Sequence, residues 1–138
     1  MTPESIAKTG SEDAHCMALM CQVALNVKKY PSLKWLHHIP NGGYRNTREG
    51  AKFRAMGVKK GVCDYFLPYP MRSLKSIPYA GLYIEMKLES RRKHKNGGLS
   101  DEQVECIAYL REVGYYVAVC YSWIEAWKVI EDYLNGRV

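Results

Sequence analysis

The chain has 138 residues, 47% of them hydrophobic and 25% charged, which fits one globular domain over residues 1–138 and excludes a low-complexity or fibrous protein. Lysine and arginine outnumber aspartate and glutamate by 20 to 14, and the net charge of +6 favours a polyanionic partner, although it could also serve solubility alone. The sequence has no bilayer-spanning apolar run, no signal-peptide pattern and no C-x-x-C spacing, so we expect an intracellular, cytoplasmic protein without membrane, disulfide or zinc association.

The first part of the chain predicts a tail, a helix, a short strand and a second helix. Residues 1–10 contain few large apolar groups, as a loose, flexible tail does. Ser11 is a typical N-cap for a helix that ends at Pro31 and has apolar residues at helical spacing. Residues 33–39 then suggest a short strand followed by a Pro-Asn-Gly-Gly turn signal, and residues 46–56 suggest a helix with one charged face.

The second part predicts alternating strands, loops and helices. A Ser-x-x-Gln and a Ser-x-x-Glu sequence are each typical of a capping box that opens a helix. The predicted elements are strand 62–67, a proline-punctuated loop 68–80, strand 81–88, a basic mobile loop 89–98, a helix from Ser100, strand 115–121 and a helix from Ser122. Together with the first part, this order predicts an α/β layer fold with a central sheet.

Charged residues interrupt the two apolar strands in the middle of the chain. Asp64 lies in the first strand, and Glu85 and Lys87 lie two residues apart in the second, where they point to one face while Met86 points to the other. Charges in apolar strands are costly unless they are paired. A divalent cation such as Mg²⁺ or Mn²⁺, held by the hard oxygens of both carboxylates and by the Met86 backbone carbonyl, would satisfy them. A structural ion pair between Glu85 and Lys87 explains the spacing nearly as well.

A metal-and-lysine site of this kind suits the hydrolysis of phosphodiesters. The reaction needs a nucleophilic water, relief of the negative charge on the phosphate and assistance for the leaving oxygen. Lys87 would orient or deprotonate the water, or stabilise the developing charge. Basic residues are frequent both before Asp64 and after Lys87, which fits a polyanionic substrate.

Five segments of the chain, taken in order, resemble the virus-type replication-repair nuclease domain (VRR-NUC), a branch of the PD-(D/E)xK nuclease superfamily. They are residues 39–43, 57–64, 81–87, 99–103 and 114–120. The resemblance covers roughly residues 12 to 134, and the chain length is similar to that of stand-alone phage and prophage members. It implies a restriction-endonuclease-like core, in which helices flank a central mixed sheet.

The resemblance also implies individual roles. It gives metal binding to Asp64 and Glu85 and catalysis to Lys87, and it adds Gln103 as a site residue in the following helix. Gln103 also occupies the reciprocal position of the capping box, and both roles could hold. Members carry an acid near the start of the first helix, for which Glu12 is a candidate metal-site residue, although an acid there also favours a helix N-terminus. The family's proline before the aspartate is Cys63 in this chain.

Two loops are candidates for contact with DNA phosphates. Glycines permit a close approach of the backbone, and arginine can bind a phosphate in a bidentate manner. A tight turn without a partner and a solvated charged loop are the alternatives. The candidates are Asn41, Gly42, Gly43 and Arg45 in the first loop, and Arg91, Arg92, Lys93 and Lys95 in the second.

The resulting expectation is a metal-dependent DNA endonuclease. The resemblance favours branched DNA such as four-way (Holliday) junctions as the substrate, and a homodimer as the assembly that cuts them. One alternative is a non-catalytic DNA-binding module that has kept the nuclease fold. Another is a nuclease of the same superfamily that acts on linear or flap DNA.

Overall fold

The computed structural model describes residues 1–40 and 47–138, which form a mixed four-stranded sheet with helices on both faces. The sheet has the order β1-β2-β5-β6, and these strands are His37–His38, Tyr65–Leu67, Leu82–Met86 and Tyr116–Cys120. β1 pairs with β2, and β2 with β5, in antiparallel fashion, whereas β5 and β6 are parallel. The expected mixed central sheet between helices is thereby confirmed.

Two helical layers cover the sheet. The described residues form the α-helices α1 (Pro3–Ile6), α2 (Glu12–Leu25), α3 (Thr47–Ala55), α4 (Asp101–Glu112) and α5 (Trp123–Leu134). α2 and α5 cover the face on which Leu82, Ile84 and Met86 are buried, and this is the main core. α4 covers the opposite face in a smaller core with Cys63. Since strand side chains alternate, the α4 face also receives Glu85.

Serine caps begin the three long helices where the sequence predicts them. Ser11 accepts a hydrogen bond from the Ala14 N–H, and Ser100 forms a complete capping box with Gln103. The predicted box at Ser122 is only half formed: the Glu125 N–H donates to Ser122 Oγ, but the Glu125 carboxylate accepts from the N–H of Tyr121 instead.

The N-terminal residues differ from the expected loose tail. Thr2 caps α1 in a capping box, residues Ala7–Thr9 add a 3₁₀ turn, and Gly10 ends it in the left-handed region. Pro3 is buried, and Ile6 and Ala7 pack against the main core. The prediction counted few large apolar residues, but these three small or medium ones suffice to anchor a single turn.

Two further segments are structured differently from the prediction. Residues Pro31–Trp35 form a 3₁₀ helix, so that only His37–His38 remain of the strand expected over 33–39. The expected loop between the central strands contains a short hairpin of β3 (Met71–Arg72) and β4 (Pro78–Tyr79). The Tyr133 hydroxyl, which donates to the Tyr69 carbonyl at 2.6 Å, fixes the start of this hairpin to α5.

The basic segment 89–98 consists of two 3₁₀ turns, Glu89–Arg91 and Lys95–Gly98, rather than an open loop. The hydroxyl of Tyr121 donates to the Gly97 carbonyl at 2.8 Å and ties the second turn to the end of β6. The segment therefore has a defined position beside the end of β5.

No helix in the described ranges is long and apolar enough to cross a membrane.

Candidate active site

Asp64, Glu85 and Lys87 meet where β2 begins and β5 ends. Asp64 directly precedes β2, and the register of the two strands places it opposite Glu85. Asp64 Oδ2 accepts a hydrogen bond of 2.7 Å from the Met86 N–H. The N–H and C=O of one strand residue lie at the same edge, so the Met86 carbonyl also faces the Asp64 side. Lys87 continues the strand direction, because its N–H donates to the Cys120 carbonyl at 2.9 Å.

Glu85 is the most buried charged residue of this group, with only 2% of its surface exposed. Its Oε1 atom accepts a hydrogen bond of 2.8 Å from Gln103 Nε2 and lies 3.7 Å from Lys87 Nζ. Its Oε2 atom is buried and accepts no hydrogen bond from the residues that the structure describes. A buried carboxylate oxygen without a partner is costly, and it can be satisfied by a cation or, when Glu85 is protonated, by a hydrogen bond with the Asp64 carboxylate.

The Asp64 carboxylate disfavours the ionisation of Glu85. Burial, and next the negative charge of Asp64, raise the pKa of Glu85 to about 8, while the positive charge of Lys87 opposes the shift. Burial also raises the pKa of Asp64, although the Met86 N–H and the charges of His38 and Lys87 act in the opposite direction. Lys87 therefore balances the negative charge of Asp64 and Glu85 only in part.

The structure also brings Glu12 to this group. It is the first residue of α2, and burial raises the pKa of its carboxyl. Glu12 and Asp64 line one cavity, and the charge of Lys87 lowers the pKa of Glu12 while that of Asp64 raises it. The expected first-helix acid is thus present at the site as well as in the first turn of its helix.

Two grooves lie on either side of these residues. The first, which we call the acidic groove, contains Glu12, Asp13, His38 and Asp64, and its apolar wall consists of Cys16, Met17, Met20 and Tyr65. The second, which we call the basic groove, is lined by Lys60, Gly61, Lys87, Arg91, Gly98, Leu99, Ser100 and Gln103. Asp64 therefore belongs to a groove lined by three carboxylates, and Lys87 belongs to a groove lined by three basic side chains.

The residues of the site fit a hard divalent cation with few protein ligands. Asp64 and Glu85 provide two carboxylates whose negative charge Lys87 balances only in part. Glu85 Oε2 is an acceptor without a partner among the described residues. Within the described ranges, no three His, Cys, Asp or Glu side chains are grouped as a metal cage. Mg²⁺ commonly binds through one or two carboxylates and keeps several waters, so the donor set suits this ion or Mn²⁺ better than zinc.

Gln103 both caps α4 and contacts Glu85. Its side-chain carbonyl Oε1 accepts from the Ser100 N–H at 2.9 Å and completes the cap of α4. Its amide Nε2 donates to Glu85 Oε1 at 2.8 Å. One side chain therefore links the start of α4 to the buried carboxylate.

The predicted DNA-contact residues fall into different environments. Arg91 is exposed and lines the basic groove, and Lys93 and Lys95 are exposed in the adjoining turns. Arg92 is engaged within the protein: it forms ion pairs with Glu89 and Glu125, and its guanidinium lies 4.3 Å from the ring centre of Tyr121. Asn41, Gly42, Gly43 and Arg45 lie outside the described residues.

Two residues at the site were not assigned a role from the sequence. The adjacent pair His37 and His38 suggested ordinary polar or packing roles, but His38 lines the acidic groove and its ring packs at 5.4 Å from that of Tyr65. Lys60 was noticed only as part of a basic stretch, yet it lines the basic groove. Alternation within a strand sends His37 and His38 to opposite faces, so that only one of them can face the site. Nothing in the local sequence distinguishes Lys60 from Lys59.

Comparison with known proteins agrees with this architecture. No family model matches the chain, and no curated protein matches it. A solved structure described as a "VRR_NUC domain protein" superposes with a TM-score of 0.67 and 26% sequence identity, covering 91% of this chain and 88% of that chain. The likeness to VRR-NUC proteins is therefore confirmed, and the chain has the fold of this nuclease-type domain.

Proposed function

We propose that this protein is a divalent-metal-dependent endonuclease that hydrolyses phosphodiester bonds in DNA. The observation that carries the proposal is the buried Glu85 carboxylate beside the partly buried Asp64 and beside Lys87, with the Glu85 Oε2 atom left without a partner among the described residues. A non-catalytic DNA-binding module does not account for a buried carboxyl whose pKa is raised by a neighbouring carboxylate. The VRR-NUC fold and the basic net charge support a nucleic-acid substrate.

In this proposal Asp64, Glu85 and the Met86 carbonyl would hold Mg²⁺ or Mn²⁺. When bound, the ion would supply a Lewis acid for the phosphate and a more acidic water. Gln103 fixes the Glu85 carboxylate through its amide and so limits the orientation of the ligand oxygens. The charge balance supports a requirement for the ion, since Lys87 opposes the pKa shift of Glu85 only partly.

Lys87 acts on the phosphate side of the site. Its ammonium group has three donors and no acceptor, and its side chain is only 16% exposed. Lys87 lines the basic groove, and its Nζ atom donates to the attacking water or to a non-bridging phosphate oxygen as negative charge develops. Glu12 lines the acidic groove with Asp64, where its half-buried carboxylate would assist the metal site or accept a hydrogen bond from the attacking water.

Branched DNA such as a four-way junction is the proposed substrate, and a homodimer is the proposed assembly. A dimer would place two such sites on opposite strands of one junction, which would give paired cuts. Arg91, Lys93 and Lys95 would contact the phosphates that flank the cut. Linear duplex and flap DNA are the alternative substrates that the assay below includes.

The test is cleavage of end-labelled linear duplex, flap and four-way-junction DNA in Mg²⁺, Mn²⁺ or EDTA. We expect paired nicks near the branch point in the presence of either metal and no cleavage in EDTA. Asp64→Asn and Lys87→Met should each lower the cleavage rate by at least about 100-fold, whereas Lys128→Met, at an exposed position on α5, should not.

Two results would contradict the proposal. DNA binding without any cleavage in either metal would leave the non-catalytic module as the function. Cleavage at equal rates by the unmodified protein and by both site variants would remove the assignment of Asp64 and Lys87. A third result, random degradation of linear DNA without junction nicks, would contradict only the proposed substrate and leave the nuclease function in place.

A further inference from the structure

The basic groove lies at the start of α4 and includes two glycines that pack closely against other parts of the chain. Gly61 has a left-handed φ of +93°, and a Cβ atom there would lie 2.6 Å from the Glu102 carbonyl oxygen. This contact brings the turn that carries Lys60 against the start of α4. Gly98 has a φ of +85°, and a Cβ atom there would lie 2.7 Å from Arg91 Cβ. Neither glycine tolerates a side chain without backbone movement.

Three cationic side chains converge on the space beside these two glycines. Lys87 follows the end of β5, and Lys60 lies in the turn before Asp64. Arg91 lies in the first 3₁₀ turn after β5. Ser100 and Gln103 line the floor at the start of α4, where the helix macrodipole also favours an anion. The space is therefore suited to a phosphate group in charge and in hydrogen-bond donors.

Lys60 has a partner that a phosphate could replace. Its Nζ atom lies 3.6 Å from Glu102 Oε1, and the two side chains are 79% and 47% exposed. An ion pair this exposed contributes little to stability, so its exchange for a phosphate costs little. Glu102 thus competes with an anion for the same ammonium group.

The two grooves cannot serve a second phosphate equally well. The acidic groove contains Glu12, Asp13 and Asp64, and beyond the reacting phosphate these carboxylates repel any other. The basic groove is lined by Lys60, Lys87 and Arg91, and no carboxylate is among the described residues that line it. A strand that crosses the site therefore has one side on which its neighbouring phosphate is attracted.

We propose that the basic groove binds a second phosphate of the cleaved strand, held by Lys60 and Arg91 beside Lys87. The proposal rests on the proposed nuclease function and deepens it, because a fixed second phosphate sets the register of the strand and hence the position of the cut. The phosphate could be an internal diester or the terminal phosphate of a nicked or flapped strand, and both offer the same anionic oxygens.

The test measures DNA binding in EDTA, so that it does not depend on cleavage. A methylphosphonate linkage, which is uncharged, is moved one position at a time along one strand of a four-way junction and of a flap. The dissociation constant is measured for the unmodified protein, for Lys60→Gln with Arg91→Gln, and for Lys59→Gln as the matched control, since Lys59 is an exposed neighbour that does not line the groove.

We expect one linkage at which loss of charge weakens binding by the unmodified protein about tenfold but hardly affects the double variant. Lys59→Gln should keep the full effect of that linkage. The double variant should also lower the slope of log affinity against log salt by roughly two, one for each lost phosphate contact. Strands that end at that position in a 5′-phosphate or a 5′-hydroxyl distinguish a terminal phosphate from an internal diester. Dependence of binding on a terminal phosphate or on an internal diester supports phosphate binding in the basic groove.

Glu102→Gln gives an effect of opposite sign. Release of Lys60 from its carboxylate partner should strengthen binding a few-fold, and only when the responsive linkage is charged. Glu105→Gln, at an exposed position on the same helix, is the control for a general loss of negative charge. Equal strengthening by both variants would count against the proposal.

The proposal is overturned if the double variant weakens binding by the same factor at every linkage, because the groove then contributes only general positive potential. This outcome is separable from failure of the nuclease function. A specific linkage effect without cleavage in Mg²⁺ or Mn²⁺ would contradict the nuclease and keep the phosphate site, whereas cleavage without a linkage effect would do the reverse.

Discussion

The amide of Gln103 donates a hydrogen bond of 2.8 Å to Oε1 of Glu85, a carboxylate that is almost completely buried. The other end of the same side chain closes the capping box of α4 by accepting from Ser100. Positioning of the buried acid and stability of the helix start are therefore coupled through one residue. Substitutions that keep one end of the side chain and change the other can separate the two contributions.

Gln103→Glu keeps the capping acceptor but replaces the amide donor with a second carboxylate next to Glu85. We expect the unfolding free energy to stay within about 1 kcal/mol of the unmodified protein, because glutamate also serves at this capping position. Metal-dependent cleavage should fall by at least about tenfold, since like charges oppose ionisation of the metal-binding acid. Urea denaturation and initial cleavage rates measure the two effects.

Ser100→Ala is the control for the cap, because it removes the hydroxyl acceptor without touching Glu85. It should cost roughly 1 kcal/mol of stability and leave the cleavage rate of the folded protein nearly unchanged. If Ser100→Ala lowered cleavage as strongly as Gln103→Glu, the cap rather than the contact with Glu85 would be responsible.

The raised pKa of Glu85 predicts that the metal-free protein loses stability as the pH rises. The carboxyl has a pKa of about 8 in the folded protein, against 4.5 for the free group. Between these values the folded state keeps a proton that the unfolded state releases, so the unfolding free energy falls with pH, by at most about 1.4 kcal/mol per pH unit. The raised pKa of Asp64 acts in the same direction from a lower starting value.

Glu85→Gln removes this titration while it keeps the shape of the side chain. In EDTA, the difference in unfolding free energy between the variant and the unmodified protein should grow in favour of the variant from pH 5 to pH 8. Glu112→Gln, at an exposed position on α4, should leave the slope as it is. Parallel stability curves for the unmodified protein and Glu85→Gln would mean that Glu85 is ionised in the folded state at pH 5.

Metal binding should reverse the same penalty. Mg²⁺ or Mn²⁺ at about 100 times its dissociation constant would add about 2.7 kcal/mol to the unfolding free energy, which raises Tm by several degrees. Binding at pH 7 should also release up to about one proton, because Glu85 must ionise to act as a ligand. Calorimetric titration in buffers of different ionisation enthalpy measures this release.

Asp64→Asn should abolish both the gain in Tm and the release of the proton, whereas Glu112→Gln should abolish neither. Stabilisation by Mg²⁺ that persists in Asp64→Asn would move the metal to another part of the protein. These measurements need no DNA and no turnover, and they therefore test the metal site independently of the nuclease activity.

The sequence predicts the parts of this structure that depend on local patterns. Alternation along 81–88 places Glu85 and Lys87 on one face, and the Ser100 box correctly predicts both the start of α4 and one role of Gln103. Periodicity likewise identifies the long helices, whose serine caps lie where expected. Each of these features is determined by residues within a few positions of one another.

The features that sequence reasoning missed depend on contacts between distant residues. Burial of Pro3 and Ile6 against the main core converts an expected tail into a helical turn, and the hairpin of β3 and β4 is fixed by contacts with α5 and the chain end. Lys60 reaches the basic groove because Gly61 packs on the backbone of α4 about 40 residues later. His38 enters the site through its pairing with Tyr65 in β2.

The adjacent arginines Arg91 and Arg92 should give opposite results when each is replaced by alanine. Arg92 bridges Glu89 and Glu125 and lies over the ring of Tyr121, so its loss should lower Tm by a few degrees. Arg91 is exposed and lines the basic groove, so its loss should leave Tm unchanged and weaken DNA binding in a salt-dependent manner. Thermal melts and binding at two salt concentrations distinguish the two variants. Equal losses of DNA affinity at equal Tm would show that Arg92 leaves its carboxylate partners to bind phosphate.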